Sequence, residues 1–184
     1  MSRPEFSVWP CSVARAMELI GDSWALLIMR ELYYGFTRFD EFQRNLCMAR
    51  NTLSDRLNRL VEGGVLTKRL YQDNPPRNEY LLTEMGRDFF PVLAALTAWG
   101  DQWLDGGEGP PVSLHHTQCG HDLVIDATCR ACGGLFSLED IEFRVGPGYP
   151  AEVPEEVDLR ARLAPATNRK KRSTRRRRTQ ERAG

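Results

Sequence analysis

The stretch ARNTLSDRLNRLVEGGVL, residues 49–66, decides how the chain is read. Leu53, Leu57, Leu60 and Val61 recur at i, i+4, i+7 and i+8, the stripe of one buried helix face. Gly63-Gly64 ends that helix, and Val65-Leu66 begins an extended segment. The opposite face carries Arg50, Asn51, Ser54, Asp55, Asn58 and Arg59. Asn and Ser are poorer helix formers than Lys or Glu, which would serve a face that meets only water. Short polar groups and guanidiniums in their place suggest a face that touches something.

Upstream, SVARAMELI (12–20) places Val13, Ala16, Met17 and Ile20 on one stripe. Gly21-Asp22 interrupts it, with Asp22 or Ser23 as the next N-cap. WALLIMRELYY follows as a nearly all-apolar helix, a pattern that belongs at the centre of a core, and Gly35 ends it. Thr37 is the predicted cap of a short helix, RFDEFQRNL, with Phe39, Phe42 and Leu46 facing inward. Downstream, VLTKRLY and EYLL have strand character around QDNPPRN. Two prolines hold that loop extended and outside a ladder, so a hairpin with a stiff exposed tip is predicted. Thr83-Glu84 then caps a long helix over about 84–104, apolar at Phe89, Val92, Leu93, Leu96, Trp99, Trp103 and Leu104. Pro91 lies inside it and predicts a kink or an early break.

Four helices, a two-stranded hairpin and a long helix make a winged helix-turn-helix over residues 9–104: a mainly α fold with a small β-hairpin wing. In such a unit the second helix of the pair enters a DNA major groove and its leading residues reach base edges. Asn pairs bidentately with adenine, Arg with guanine, and Ser or Thr with either. Arg50, Asn51, Thr52, Ser54 and Asp55 occupy the leading end. Arg56 and Arg59 are placed for phosphates, and Asn74 and Arg77 sit at the wing tip, within reach of a minor groove or the backbone. The competing reading is a solvated helix in a purely structural three-helix domain. The turn, the wing and the spacing together favour double-stranded DNA.

The ordered runs CSVARAMELIGDSWALLIMREL, TRFDEFQRNL, LSDRLNRLVEGGVLTKR and PPRNEYLLTEMGR resemble the HxlR-type winged-helix regulators, bacterial relatives of the MarR group. The resemblance covers about residues 9–104. Ser12 stands where the family often has Pro, and Ala49 where its recognition helix often opens with Ser. The resemblance implies a homodimeric transcription factor, repressor or activator, joined through the first and last helices of the domain. The aromatic and aliphatic surface of the last helix supports dimerisation independently. A twofold dimer would set two recognition helices about 34–36 Å apart, matching a pseudo-palindromic operator. Cys11 stands where the first helix begins, after Pro10. N–H groups there favour a thiolate, and a cysteine at this place recurs in the family, in some members as a sensor of oxidants or electrophiles. The other reading of Cys11 is a small buried apolar residue. Cys47, in the connection between the two helices, reads as packing.

Residues 105–114, DGGEGPPVSL, read as a linker, and 115–145 as a compact Cys/His module. His116-x2-Cys119-Gly120 and Cys129-x2-Cys132-Gly133 are two knuckles in which Gly lets the turn wrap and direct N–H groups at the ligand sulfur. The four ligands His116, Cys119, Cys129 and Cys132 predict one structural zinc per chain in a zinc ribbon, with the apolar run Leu123, Val124 and Ile125 in a hairpin between the knuckles. His115 and His121 are alternative ligands. A redox CxxC lacks its βαβ context. A zinc deaminase lacks its His-x-Glu, and four protein ligands leave no open position. The acidic surroundings, Asp122, Asp126, Glu139, Asp140 and Glu142, suit protein contacts and not a second DNA reader.

The formal net charge of zero conceals a segregation. Residues 105–159 hold 2 Lys+Arg against 11 Asp+Glu, and residues 160–184 hold 11 against 1. Residues 146–184 are predicted to be disordered. Eight of the ten residues in RKKRSTRRRR, 169–178, are basic, a run that can hold phosphates without sequence preference. It could equally fold back on the acidic segment or be a solvated tail. No apolar run reaches the ~18 residues of a membrane helix. With no secretory leader pattern and five unevenly spaced cysteines, the expected setting is cytoplasmic and nucleoid-associated, without membrane contact. No nucleophile–base pair or phosphate loop supports an enzyme. A transcription regulator is the leading expectation, possible redox or electrophile response included. The alternative is a sequence-nonspecific nucleic-acid-binding or adaptor protein acting through its tail. The effector is unknown.

Overall fold

The computed structural model describes residues 9–153, 155 and 158–163. Helices α1 (Ser12–Ile20), α2 (Ser23–Tyr33), α3 (Phe39–Leu46) and α4 (Arg50–Glu62) come first. Strands β1 (Leu66–Gln72) and β2 (Arg77–Leu82) form an antiparallel hairpin, followed by α5 (Glu84–Asp88) and α6 (Phe90–Leu104). Two short strands, β3 (His115–His116) and β4 (His121–Asp122), pair beyond the winged unit. A 3-10 turn over Leu138–Asp140 and a last turn α7 (Arg160–Leu163) complete the elements.

The core forms around α2, which packs against α1, α3, α4 and α6; α1 contributes Ile20 and leaves Val13, Ala16 and Met17 of its apolar stripe exposed. Ile28 and Met29 of α2, Phe42 of α3, and Leu53 and Leu57 of α4 are fully enclosed. Leu60, Leu66 and Tyr80 close the side toward the hairpin, with the Phe42 and Tyr80 rings edge to face at 6.3 Å. Each enclosed Leu, Ile or Phe contributes about 1.5–3 kcal/mol relative to exposure. One charge lies inside this shell. Glu31 is buried, and its carboxylate accepts from Asn45 of α3 at 2.8 Å and pairs with Arg30 at 2.7 Å, so the desolvated group is matched.

Local chemistry sets the boundaries. The Asp22 carboxylate accepts the Trp24 N–H at 3.0 Å and starts α2. The start of α3 differs from expectation: Glu41 is the capping group, not Thr37. Its carboxylate accepts the N–H groups of Thr37 at 3.0 Å and Arg38 at 2.8 Å, while the Thr37 carbonyl accepts from Tyr80 N–H at 2.8 Å. A carboxylate reaching back satisfies two donors where a hydroxyl satisfies one. The long C-terminal helix breaks at Phe89, two residues before Pro91, which sits in the first turn of α6. The break is pinned by Tyr33, whose hydroxyl donates to the Gly86 carbonyl at 2.6 Å and whose ring meets Phe90 edge-on at 5.1 Å. Burial pushes the Tyr33 hydroxyl pKa up to about 12. Gly86 is required there, because a Cβ would stand 2.4 Å from the Val65 carbonyl oxygen.

A clamp fixes α4 to the start of α2: the Arg56 guanidinium pairs with Asp22 at 2.8 Å, both largely covered. Burial raises the Asp22 pKa, but the hydrogen bond and charge of Arg56 and the N–H groups of Trp24 and Ala25 outweigh it and hold the carboxyl below its ordinary value. A carboxylate depressed by folding stabilises above its unfolded pKa, and that contribution is lost as pH falls through the folded value. Asp22→Asn keeps a capping side chain but loses the ion pair. It is expected to cost about 1–2 kcal/mol near neutral pH, with the gap to the parent closing below about pH 4. Urea unfolding of both proteins across that range checks this; a gap that does not change with pH overturns it.

Candidate nucleic-acid interface

The first turn of α3 is the hub of one surface. Next to Phe39, the Arg50 guanidinium from the leading end of α4 lies over the ring, 5.1 Å from its centroid. On the other side, Arg38 lies over the Tyr71 ring of the wing at 4.7 Å. Asp40 reaches Arg77 of β2 at 3.7 Å, and the backbone of Arg38 bridges to Glu79. Residues 38–40 therefore join the start of α4 to the β1–β2 hairpin. A guanidinium stacked on a ring keeps its edge N–H groups available for phosphate or base oxygens. The Arg77–Asp40 pair is half exposed and worth little by itself; its effect is positional.

Arg50, Asn51 and Asp55 are exposed, and Thr52 and Ser54 half-buried, along the start of α4. Asn74 is exposed at the wing tip, where its carbonyl accepts from Gln72 at 3.1 Å. Arg56 and Arg59 stand elsewhere than expected. Arg56 is engaged by Asp22, and Arg59 donates to the Glu18 carbonyl at the end of α1 at 3.0 Å. Their partners lie on α1 and at the N-cap of α2. They brace the helix and do not extend its open face.

Two groups on the surface escaped the sequence reading. Tyr71 faces Arg38 because β1 carries an irregularity between Leu70 and Gln72, and a bulge re-aims the side chain it contains. Arg38 directly precedes α3, and its only sequence signal is that position.

Cys11 is the half-buried residue preceding α1, with its backbone N–H donating to the Trp9 carbonyl at 2.7 Å. Cys47 is exposed and takes a left-handed conformation at the end of α3, so it is a turn residue and not a packed one.

In the C-terminal segment, each predicted knuckle is its own antiparallel turn. β3 and β4 enclose residues 117–120, and the Thr128–Leu135 bridge encloses 129–134. The hairpin expected between the knuckles, over Leu123, Val124 and Ile125, is absent; those residues form no strand. His116 Nδ1 lies 3.1 Å from Cys119 Sγ. The N–H groups of Cys132 and Ala131, and the Cys132 side chain, hydrogen-bond to Cys129 and hold its thiol below the ordinary value. Among the described residues, no three His, Cys, Asp or Glu side chains converge on one point, so the two pairs stand as separate halves. His121 pairs across from His116, and His115 lies 3.4 Å from Asp122. The linker turns back on itself, with the Asp105 carboxylate accepting from Gly107 and Gly109. Further on, the Tyr149 hydroxyl donates to Asp158 at 3.0 Å and accepts from Leu159 N–H at 2.7 Å. The basic run 169–178 lies outside the described residues. No helix among the described residues is long and apolar enough to cross a membrane.

The HxlR-like helix-turn-helix family matches residues 19–108. The chain is 43% identical over 142 residues to the uncharacterized HTH-type transcriptional regulator Rv3095 of Mycobacterium tuberculosis, covering 77% of this chain and 90% of that protein. A solved structure of PA1374 from Pseudomonas aeruginosa, assigned as a transcription factor, is 38% identical with a TM-score of 0.55, over 83% of this chain and all of that one. The structure of PA1607, likewise assigned, is 36% identical with a TM-score of 0.66, over 74% of this chain and 94% of that one. These relatives are regulators of transcription and not enzymes, and the hairpin of β1 and β2 is the wing of a helix-turn-helix unit. The chain belongs to the HxlR-like helix-turn-helix family of transcriptional regulators.

Proposed function

We propose that the protein binds a pseudo-palindromic operator as a homodimer, seating α4 in the major groove of each half-site. The observation that carries this reading is the continuous surface made by Arg50, the first turn of α3 and the wing. Asn51 and Asp55 are exposed beside Arg50, where base edges would lie. Arg38 and Arg77 would hold backbone phosphates on either side. Dimerisation is supported by apolar side chains left uncovered on α1 and α6: Val13 and Met17 on the first, and Val92, Leu96, Trp99 and Trp103 on the second. A twofold pair joined there would present two α4 helices to successive major-groove turns. Cys11 precedes the first of these helices, so oxidation or alkylation there would act on the dimer contact and through it on operator affinity.

Fluorescence anisotropy tests the reading. The full chain and a chain ending at residue 163 are titrated against duplexes from the DNA flanking the gene and against a scrambled duplex, at two salt concentrations. The expected result is tight binding of both chains to one native duplex, with the tail adding only salt-sensitive affinity. Weak, equal binding to every duplex, lost with the tail, would transfer the function to the basic run as a sequence-nonspecific binder. A diamide-treated arm reads Cys11 through the change in operator affinity.

A further inference from the structure

We propose that His116, Cys119, Cys129 and Cys132 are the four ligands of one structural zinc-class cation, and that binding it draws the two C-terminal turns onto each other. The turns are built alike although they are separate in sequence. In the first, the N–H groups of Cys119 and Gly120 return to the His116 carbonyl at 3.3 and 2.9 Å; in the second, the Gly133 N–H returns to the Cys129 carbonyl at 2.7 Å. Gly120 and Gly133 share one left-handed conformation, φ 74° and 73°, which L side chains rarely adopt. Each turn ends on a cysteine followed by that glycine, and each opens on a second metal-ligating residue.

The first pair is already close to coordination geometry. Zinc bonds of about 2.3 Å to sulfur and about 2.0 Å to nitrogen, at a tetrahedral angle, separate the two donors by roughly 3.5 Å. His116 Nδ1 and Cys119 Sγ stand 3.1 Å apart. In the second pair, backbone N–H groups of Ala131 and Cys132 point at the Cys129 sulfur, the arrangement that supports a metal-bound thiolate.

The module also needs a cross-link. None of residues 115–145 is buried; Leu123, Val124, Leu135, Phe136, Leu138 and Phe143 are all exposed. A unit of about 30 residues without an apolar core holds one shape only through disulfides, a metal or association. Three sulfurs and one imidazole favour tetrahedral zinc over the oxygen-seeking cations. Three thiols release their protons to solvent as three metal–sulfur bonds form, the neutral imidazole gives a lone pair, and no electrons are transferred.

The test uses the full chain purified without chelator. Elemental analysis is expected to find one zinc per chain in the parent and none in Cys129→Ser or Cys132→Ser. Cobalt replacement is expected to give thiolate-to-metal charge-transfer absorption that weakens in Cys119→Ser. Chelator is expected to open residues 123–127 to protease while the winged domain melts unchanged. The proposal is overturned if the parent carries no metal and cobalt titration gives no charge-transfer band. Recovery of a Cys129–Cys132 disulfide as the purified state overturns it as well and assigns the pair to redox chemistry. The parent's own metal content decides the matter even where a variant fails to fold.

Discussion

Asn51→Ala is expected to weaken binding to the specific duplex by roughly 30-fold to 10⁴-fold while leaving the scrambled duplex almost untouched. A bidentate side chain–base pair is worth about 1–3 kcal/mol of discrimination, and a dimer loses the contact in both half-sites, so about 2–6 kcal/mol is at stake. Asn51 is exposed at the leading end of α4 and supports nothing in the core, so the loss should not be accompanied by unfolding. Arg50→Ala separates two roles. If Arg50 reads a base, its effect follows duplex sequence; if it holds a phosphate, affinity falls for every duplex and the salt slope flattens by about one unit per lost contact. Equal losses on native and scrambled DNA from Asn51→Ala would sink the assignment of α4 as the reading element.

Trp99→Glu should have the second large effect, this time on assembly. Trp99 is 55% exposed in the single chain, so its replacement removes little from the monomer's own core. In a twofold interface the change occurs twice. A central Trp truncated at an interface costs about 2–4 kcal/mol, so two copies weaken the dimer by about 4–8 kcal/mol, and a buried Glu adds repulsion against its symmetry mate. Sedimentation at micromolar concentration is expected to change from dimer to monomer, with a melting curve set by the monomer alone. Operator affinity would then fall to that of an isolated half-site. A variant that still sediments as a dimer would place the interface elsewhere.

Much of the winged unit was legible because its periodicities are strong. Val13, Ala16, Met17 and Ile20 marked α1, Asp22 marked the start of α2, and Pro91 marked the break that the structure places at Phe89. The hairpin followed from two apolar runs around Pro75-Pro76. The directions of Arg56 and Arg59 were not legible. On a helical wheel Arg56 falls at the border between faces and Arg59 on the outward face, and only the positions of Asp22 and the Glu18 carbonyl decide which way a long guanidinium side chain turns. Tyr71 was hidden because a bulge shifts the two-residue alternation on which strand reading depends. Glu31 was hidden because a charge in an apolar helix is informative only once Asn45 is known to face it. In the C-terminal module, the left-handed turns at Gly120 and Gly133 were legible from the Cys-Gly pairs. The absence of a strand between them was not, since a short apolar run carries no record of its pairing partner.

The division of α4 into a braced side and an open side has an evolutionary consequence. Leu53, Leu57, Leu60, Arg56 and Arg59 hold the helix in place, whereas Asn51 and Asp55 are exposed and Arg50 rests on the half-buried Phe39 ring from outside. Substitutions on the open side can accumulate without eroding foldability. Duplicated copies of such a gene can therefore drift toward new promoters by changing three or four side chains while inheriting the scaffold intact, and the same separation makes this helix a practical place to retarget the protein by design.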